Sequence, residues 1–193
     1  MNAASLFTGK QIELTSLNPE KDAETLSLWS ADQEFVKLFM GGVFRPYSTE
    51  EMKKLFGEKL NKANESQNAY HFALRQLGTE ELIGLLFFDW IWSSQQVARV
   101  SLYFAEKAAL AQYGTEALQM GLRFGFMELS LHRMWTELSD HQPQLLAAFE
   151  GAGFLREVQR AEALYFDGRY YDQLGYALLK PEWKKLQEVK NEA

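Results

Sequence analysis

Two carboxylates and one helix start carry the chemistry this sequence could do. Asp89 stands inside an otherwise apolar run, Leu82 to Trp92, where an acid needs a partner or a role. Glu137 stands in a second β-rich run, Arg133-Met-Trp-Thr-Glu-Leu138. Either carboxylate could take a proton from an attacking group. Asp89 could equally be a strand-end acid paired with a nearby base, and Glu137 an outward-facing strand residue. His71, on a strand, reads as structural. No cysteine, His-x-x-x-His spacing, carboxylate cluster or Gly-x-Ser-x-Gly elbow occurs, so neither a metal site nor a nucleophile elbow is expected.

The third feature spans Arg99 to Leu129. Arg-Val-Ser-Leu-Tyr-Phe104 alternates like a strand, and Gly114, Ala117, Leu118, Gly121, Leu122, Gly125, Phe126 and Leu129 recur at helical spacing. Between them the sequence reads as a short loop ending in Gly114-Thr115-Glu116. A strand feeding a helix N-terminus offers unpaired amides and a positive dipole end to an anion. An ordinary strand–helix connection is the alternative. Gly121 and Gly125 each cost about 1 kcal/mol of helix propensity, and they would give the helix a flat face on a sheet.

Other elements must position these residues. Gln11 to Leu17 reads as a strand, and Asn18-Pro19 as an N-cap followed by a helical proline. Asp32 caps a short helix through Phe35, Val36 and Phe39 that Gly41-Gly42 stops. Ser48-Thr-Glu-Glu51 is a capping box opening a helix with Met52, Leu55, Phe56, Leu60 and Ala63 inward. Tyr70 to Leu77 and Glu81 to Trp92 read as strands around Gly78-Thr79-Glu80. Pro143 opens a short helix closed by Gly151-Ala-Gly153, and Asp167-Gly168 marks a hairpin. Phe44, Tyr47, Trp90 and Trp92 could wall a pocket or pack a core. The expected fold class is α/β (α+β): a central, mostly antiparallel mixed sheet with helices on both faces. A single domain is expected over residues 1–193, its core about 10–182, with a charged C-terminal tail.

A chain of 193 residues can bury a sizeable core. Its net charge of −6 argues against a nucleic-acid partner and is compatible with a cationic one. Leu82 to Trp92, the longest apolar stretch, is too short for a membrane span. The amino terminus lacks a signal-peptide pattern, and a cysteine-free chain fits a cytoplasmic setting.

Five stretches together resemble the Gcn5-related N-acetyltransferase (GNAT) superfamily, in particular the branch of the ribosomal-protein alanine acetyltransferases. They are Glu81-Leu-Ile-Gly84, Tyr113-Gly-Thr-Glu-Ala-Leu118, Leu129-Ser-Leu-His-Arg133, Phe149-Glu-Gly-Ala-Gly-Phe154 and Asp167-Gly-Arg-Tyr-Tyr-Asp172. The resemblance implies a single acetyltransferase domain moving acetyl from acetyl-CoA, as co-substrate, to a primary amine of a small molecule or a peptide N-terminus. It implies cofactor contacts at Leu102, Tyr103 and Phe104, at Ala109, Leu110, Ala111, Gln112, Tyr113, Gly114 and Thr115, and at Gln142 and Phe149. Glu137 and Asp89 become the candidate catalytic bases. His132 keeps its family place as a structural residue, and His141 faces cofactor or solvent. Homodimers are common in the family.

The family loop reads Arg/Gln-x-x-Gly-x-Gly/Ala, and here Ala109 and Gln112 replace its first two marked positions. An asparagine position holds Gln142, and the two acid positions hold Leu145 and Phe149. These departures open a second reading, a ligand- or partner-binding protein of the same fold with weak or no catalysis. A third is a different acyl donor.

Overall fold

A computed structural model describes residues 4–192. Its strands are β1 (Ile12–Ser16), β2 (Tyr70–Gln76), β3 (Leu82–Trp92), β4 (Val97–Phe104), β5 (Arg133–Ser139), β6 (Leu155–Phe166) and β7 (Arg169–Leu179). The α-helices are α1 (Ala4–Phe7), α2 (Pro19–Trp29), α3 (Thr49–Ser66), α4 (Lys107–Arg123), α5 (Pro143–Ala152) and α6 (Lys180–Glu192). Two π-helical segments join them, Glu34–Phe39 after α2 and Phe124–Glu128 continuing α4.

Local chemistry sets most of these boundaries. The Asn18 side chain accepts from the Glu20 amide, and Pro19 then fills the first helical position of α2. Ser48 and Glu51 complete both bonds of the capping box at α3. Asp32 accepts from the Glu34 amide at 2.8 Å and so opens the first π-helical segment. At the β6–β7 turn Asp167 and Gly168 have φ of 47° and 74°, the pair of positive values that a type I′ hairpin needs.

The strands make one sheet in the order β1-β2-β3-β4-β5-β7-β6. All neighbours run antiparallel except β4 and β5. One core lies between the sheet and α4, α5 and α6, with Leu86, Phe88, Leu102, Leu118 and Phe149 at its centre. The other lies under α2, the first π-helical segment and α3, around Phe35, Phe56, Phe87 and Tyr103. The mixed sheet with helices on both faces matches the expected fold class.

Gly121 and Gly125 do bring α4 close to the sheet. A Cβ on Gly121 would stand 2.8 Å from Leu86 Cδ2, and one on Gly125 2.6 Å from Met134 Sδ.

The start of α4 departs from expectation. Residues 107 to 114 are helical, not a loop. The stretch Lys-Ala-Ala-Leu-Ala-Gln112 consists of strong helix formers, and no glycine halts it before position 114. The replacements at Ala109 and Gln112 that depart from the family loop thus let the helix run back to Lys107. Gln112 sits in ordinary helical backbone, so no left-handed strain arises there.

Candidate active site

The site begins where β4 and β5 part. They pair only at Val97–Arg133, Ala98–Met134 and Arg99–Trp135. Beyond Arg99, β4 keeps its bonds to β3 as far as Phe104, while β5 is held by β7 as far as Ser139. The β5-facing edge of β4 from Val100 onward therefore has no strand partner. A cavity of about 750 Å³ occupies the gap.

Because the gap opens through the sheet itself, residues of both faces reach it. Arg99, Ser101 and Tyr103 of β4 lie on one face, with Leu102 and Phe104 on the other; all five reach the cavity. From β5 come Thr136, Glu137, Leu138 and Ser139. The first π-helical segment adds Glu34 and Lys37, and the loop before α5 adds His141 and Gln142.

The first turn of α4 closes one end. Glu106 is the N-cap residue but makes no side-chain cap bond, and the first helical bond runs from the Leu110 amide to Glu106 O at 3.0 Å. The amides of residues 107, 108 and 109 therefore lack helical partners. Glu106, Lys107, Ala108 and Leu110 line the cavity. The helix N-terminus thus lies about two turns earlier than the sequence suggests.

The cofactor residues implied by resemblance separate accordingly. Leu102, Tyr103, Phe104, Leu110 and Gln142 line the cavity. Ala109 lines a smaller neighbouring cleft of about 320 Å³. Ala111 is exposed on the outside of α4, and exposed Gln112 donates to Gln11 Oε1 at 3.0 Å. Tyr113 packs against the core. A Cβ on Gly114 would press on Leu110 and Ala148, and Thr115 lies beside Gly151. Phe149 is fully buried against Phe154. Residues 111 to 115 thus anchor α4 rather than present amides, because each amide inside a helix is already bonded to the fourth carbonyl before it.

The two candidate bases also separate. Glu137 lines the cavity, where its Oε1 accepts from Arg160 Nη1 at 2.6 Å. Asp89 lies outside it, at the far end of β3, among His71 Nε2 (3.0 Å), Arg99 Nη2 (3.5 Å) and Lys59 Nζ (3.7 Å). Burial pushes the Asp89 carboxyl up, but the His71 hydrogen bond and the charges of Lys59 and Arg99 outweigh it and hold it below the usual range. Asp89 is the strand-end acid paired with nearby bases, and His71 is its structural partner.

Other cavity residues form a polar network whose partners the sequence did not reveal. The Tyr103 hydroxyl donates to Asp32 Oδ2 at 2.9 Å; burial first, then the Asp32 charge, raises its pKa far beyond the tyrosine norm. Gln142 Nε2 donates to Glu34 Oε2 at 2.8 Å in place of capping α5. His141 Nδ1 lies 2.6 Å from Ser139 Oγ. Burial depresses the His141 pKa, assisted by Lys107 and opposed by Glu34 and Asp140. Asp32, Glu34 and Lys107 come from capping or charged stretches that carry no motif of their own.

Residues 11–155 match the family described as "Acetyltransferase (GNAT) domain". The "Probable N-acetyltransferase YjcK" of Bacillus subtilis (strain 168) is 26% identical over 179 residues, covering 92% of this chain and 98% of that protein. The "Uncharacterized N-acetyltransferase YnaD" of the same organism is 26% identical over 166 residues, covering 84% and 91%. Among solved structures, a "Probable acetyltransferase" aligns with a TM-score of 0.76 at 24% identity over 90% of this chain and 96% of that one. The spermidine N-acetyltransferase from Vibrio cholerae "in complex with CoA and spermine" aligns with a TM-score of 0.76 at 20% identity, over 90% and 98%. At these identities the two structures show the fold. By the domain match and its relatives, this chain belongs to the acetyltransferase (GNAT) domain family and is an N-acetyltransferase of that type.

Proposed function

We propose that the cavity between β4 and β5 binds acetyl-CoA and that the chain acetylates a small cationic primary amine. The observation that carries this reading is the gap itself. An unpaired strand edge, a cavity of about 750 Å³ and the unpartnered amides of a helix start converge there.

The residues present fit a pyrophosphate. The amides of residues 107 to 109 are oriented donors, the helix dipole adds partial positive charge, and Lys107 adds a full one. Glu106, at the cap, opposes it. Apolar Leu102, Leu110, Leu138 and Leu145 line the gap beyond and suit an extended aliphatic arm. Bound there, acetyl-CoA supplies an acyl carbon on a thiol leaving group. The free backbone edge of β4 around Leu102 to Phe104 would donate to the developing oxyanion. A thiol of pKa about 8.5 leaves without a strong acid, which accommodates apolar Leu145 and Phe149.

The acceptor is read from charge. Asp32, Glu34 and Glu137 line the cavity, and carboxylates there suit an ammonium. The similarity to a structure described as a spermidine N-acetyltransferase with spermine supports the same class. Kinship to the ribosomal-protein alanine acetyltransferases, a homodimer and a cytoplasmic setting belong to this proposal as well. Among the described residues no helix is long and apolar enough to cross a membrane.

The test is calorimetric titration with acetyl-CoA, followed by mass spectrometry of spermidine and simpler primary amines incubated with both. Binding with a mass gain of one acetyl group supports the reading. A chain that does not bind acetyl-CoA at millimolar concentration refutes it.

A further inference from the structure

We propose that His141 is the catalytic residue that takes the proton of the acceptor amine, with Ser139 and Glu34 as its positioning residues. This rests on the reading of the cavity as an acetyl-transfer site.

The imidazole is held on three sides. Phe166 of β6 stacks on it at 4.6 Å and 22°, and the Tyr171 ring of β7 lies 4.6 Å away. Nδ1 is fixed by Ser139 Oγ at 2.6 Å, and Ser139 is itself 1% exposed. Nε2 is shut off from water and has no hydrogen-bond partner. Its nearest charged neighbour is Glu34 Oε1 at 3.8 Å, beyond hydrogen-bond reach.

This geometry selects a tautomer. A hydrogen on Nε2 would be a buried donor with no acceptor, the costlier kind of orphan. The proton therefore sits on Nδ1 and is donated to Ser139 Oγ, leaving a lone pair on Nε2. Glu34 is fixed in turn, since Gln142 donates to its Oε2 at 2.8 Å and its amide donates to Asp32. Its other oxygen is left toward His141.

Two acceptors 3.8 Å apart thus face one space, and a single nitrogen about 2.9 Å from each can donate to both. An ammonium is the ligand this pair of acceptors suits once the side chains part to admit it, since Nε2 is closed to water in the free protein. The other carboxylates are committed: Asp32 to the Glu34 amide and the Tyr103 hydroxyl, Glu137 Oε1 to Arg160, and Asp89, which lies outside the cavity, to His71, Arg99 and Lys59. The charged groups around the ring are Glu34, Asp140 on its own loop and Lys107 of α4; burial keeps the ring neutral at pH 7.

The step balances as follows. The ammonium gives one proton to Nε2, and Glu34 stabilises the imidazolium. The neutral amine forms the N–C bond as the C–S bond breaks. The departing sulfur takes the second nitrogen proton as thiol, and His141 returns its own proton to water.

The experiment compares wild type with His141→Gln and Glu34→Gln. Acetyl-CoA affinity is measured by calorimetry, and thiol release is followed from pH 5 to 9 with water alone and with spermidine. In parallel, ¹⁵N spectra of the imidazoles are recorded. His141→Gln should keep acetyl-CoA affinity, lose about 10²-fold in rate or more and lose the acid limb of the pH profile. Glu34→Gln should shift that limb to lower pH. The wild-type ring should carry its hydrogen on Nδ1 and be neutral at pH 7. A His141→Gln rate and acid limb equal to wild type overturn the proposal, and so does a ring protonated on Nε2 or charged at pH 7. Loss of acetyl-CoA binding by the wild type would instead overturn the cavity assignment.

Discussion

The Tyr103 hydroxyl donates to Asp32 Oδ2 at 2.9 Å, joining the middle of the sheet to the segment that lids the cavity. The partners are 71 positions apart, so this bond, together with the Phe35 and Phe39 rings packed on Tyr103 at 4.7 and 5.6 Å, ties the first π-helical segment to β4. Removing it while keeping the ring isolates its role. Tyr103→Phe should cost about 1.5–3 kcal/mol, as for a hydrogen bond to a charged group, read from urea denaturation. The KM for the amine should rise more than kcat falls. An unchanged midpoint would mean that the bond does not brace the segment.

The frame behind that segment depends on a buried ion pair. Arg75 Nη2 meets Asp22 at 2.7 and 2.9 Å, with side-chain exposures of 8% and 2%. Nε donates to Thr15 Oγ1 at 3.0 Å and Nη1 to the Glu80 carbonyl at 2.6 Å. Asp22→Ala leaves a buried guanidinium without its partner, so a loss of about 3–5 kcal/mol is expected in equilibrium unfolding. The double change Asp22→Leu with Arg75→Met should recover most of it, since the pair has already lost its solvation.

His141 gives the stability a pH signature. Its folded-state pKa lies below the usual value near 6.5 because the ring is buried. Above about pH 6.5 both states are neutral and the residue contributes nothing. As pH falls below that, the unfolded chain takes up the proton first, and the native state loses stability until its own lower pKa is passed. Wild type should therefore weaken relative to His141→Gln between pH 7.5 and pH 5 in urea titrations. Two parallel stability curves would show that the ring is not desolvated.

Gln112 separates the helical start from a loop. It lies exposed in the interior of α4, bonded to Gln11. Gln112→Gly should cost about 1 kcal/mol in stability and leave acetyl-CoA affinity unchanged by calorimetry. Tighter binding would show that residues 109 to 114 form a phosphate loop after all.

The sequence and structure agree where short-range chemistry decides. Asn18, the Ser48 capping box, Asp167-Gly168 and the glycines that flatten α4 each act within a few residues or through a fixed periodicity, so their effects can be read along the chain. The start of α4 differs from the expected loop because the apolar helical series begins only at Gly114, which hides the helix propensity of Lys107 to Gln112. Glu137 was legible as a strand carboxylate that could be a base or face outward, and the structure sets it on the cavity. Its neutralisation by Arg160 depends on a partner 23 positions away on another strand. Asp89 shows the same limit, since the strand pattern flagged an acid but not the three bases that gather around it. His141 could not be ranked above the other histidines, because Ser139, Glu34, Phe166 and Tyr171 reach it from four different segments.

The most direct measurement is a crystal structure of the protein grown with acetyl-CoA. The expected density places the pyrophosphate on the amides of residues 107 to 109 and the aliphatic arm between β4 and β5. The acetyl group should face the space between His141 and Glu34. Density against the outside of α4 at residues 111 to 115, or an empty gap in a crystal that holds acetyl-CoA elsewhere, would contradict it.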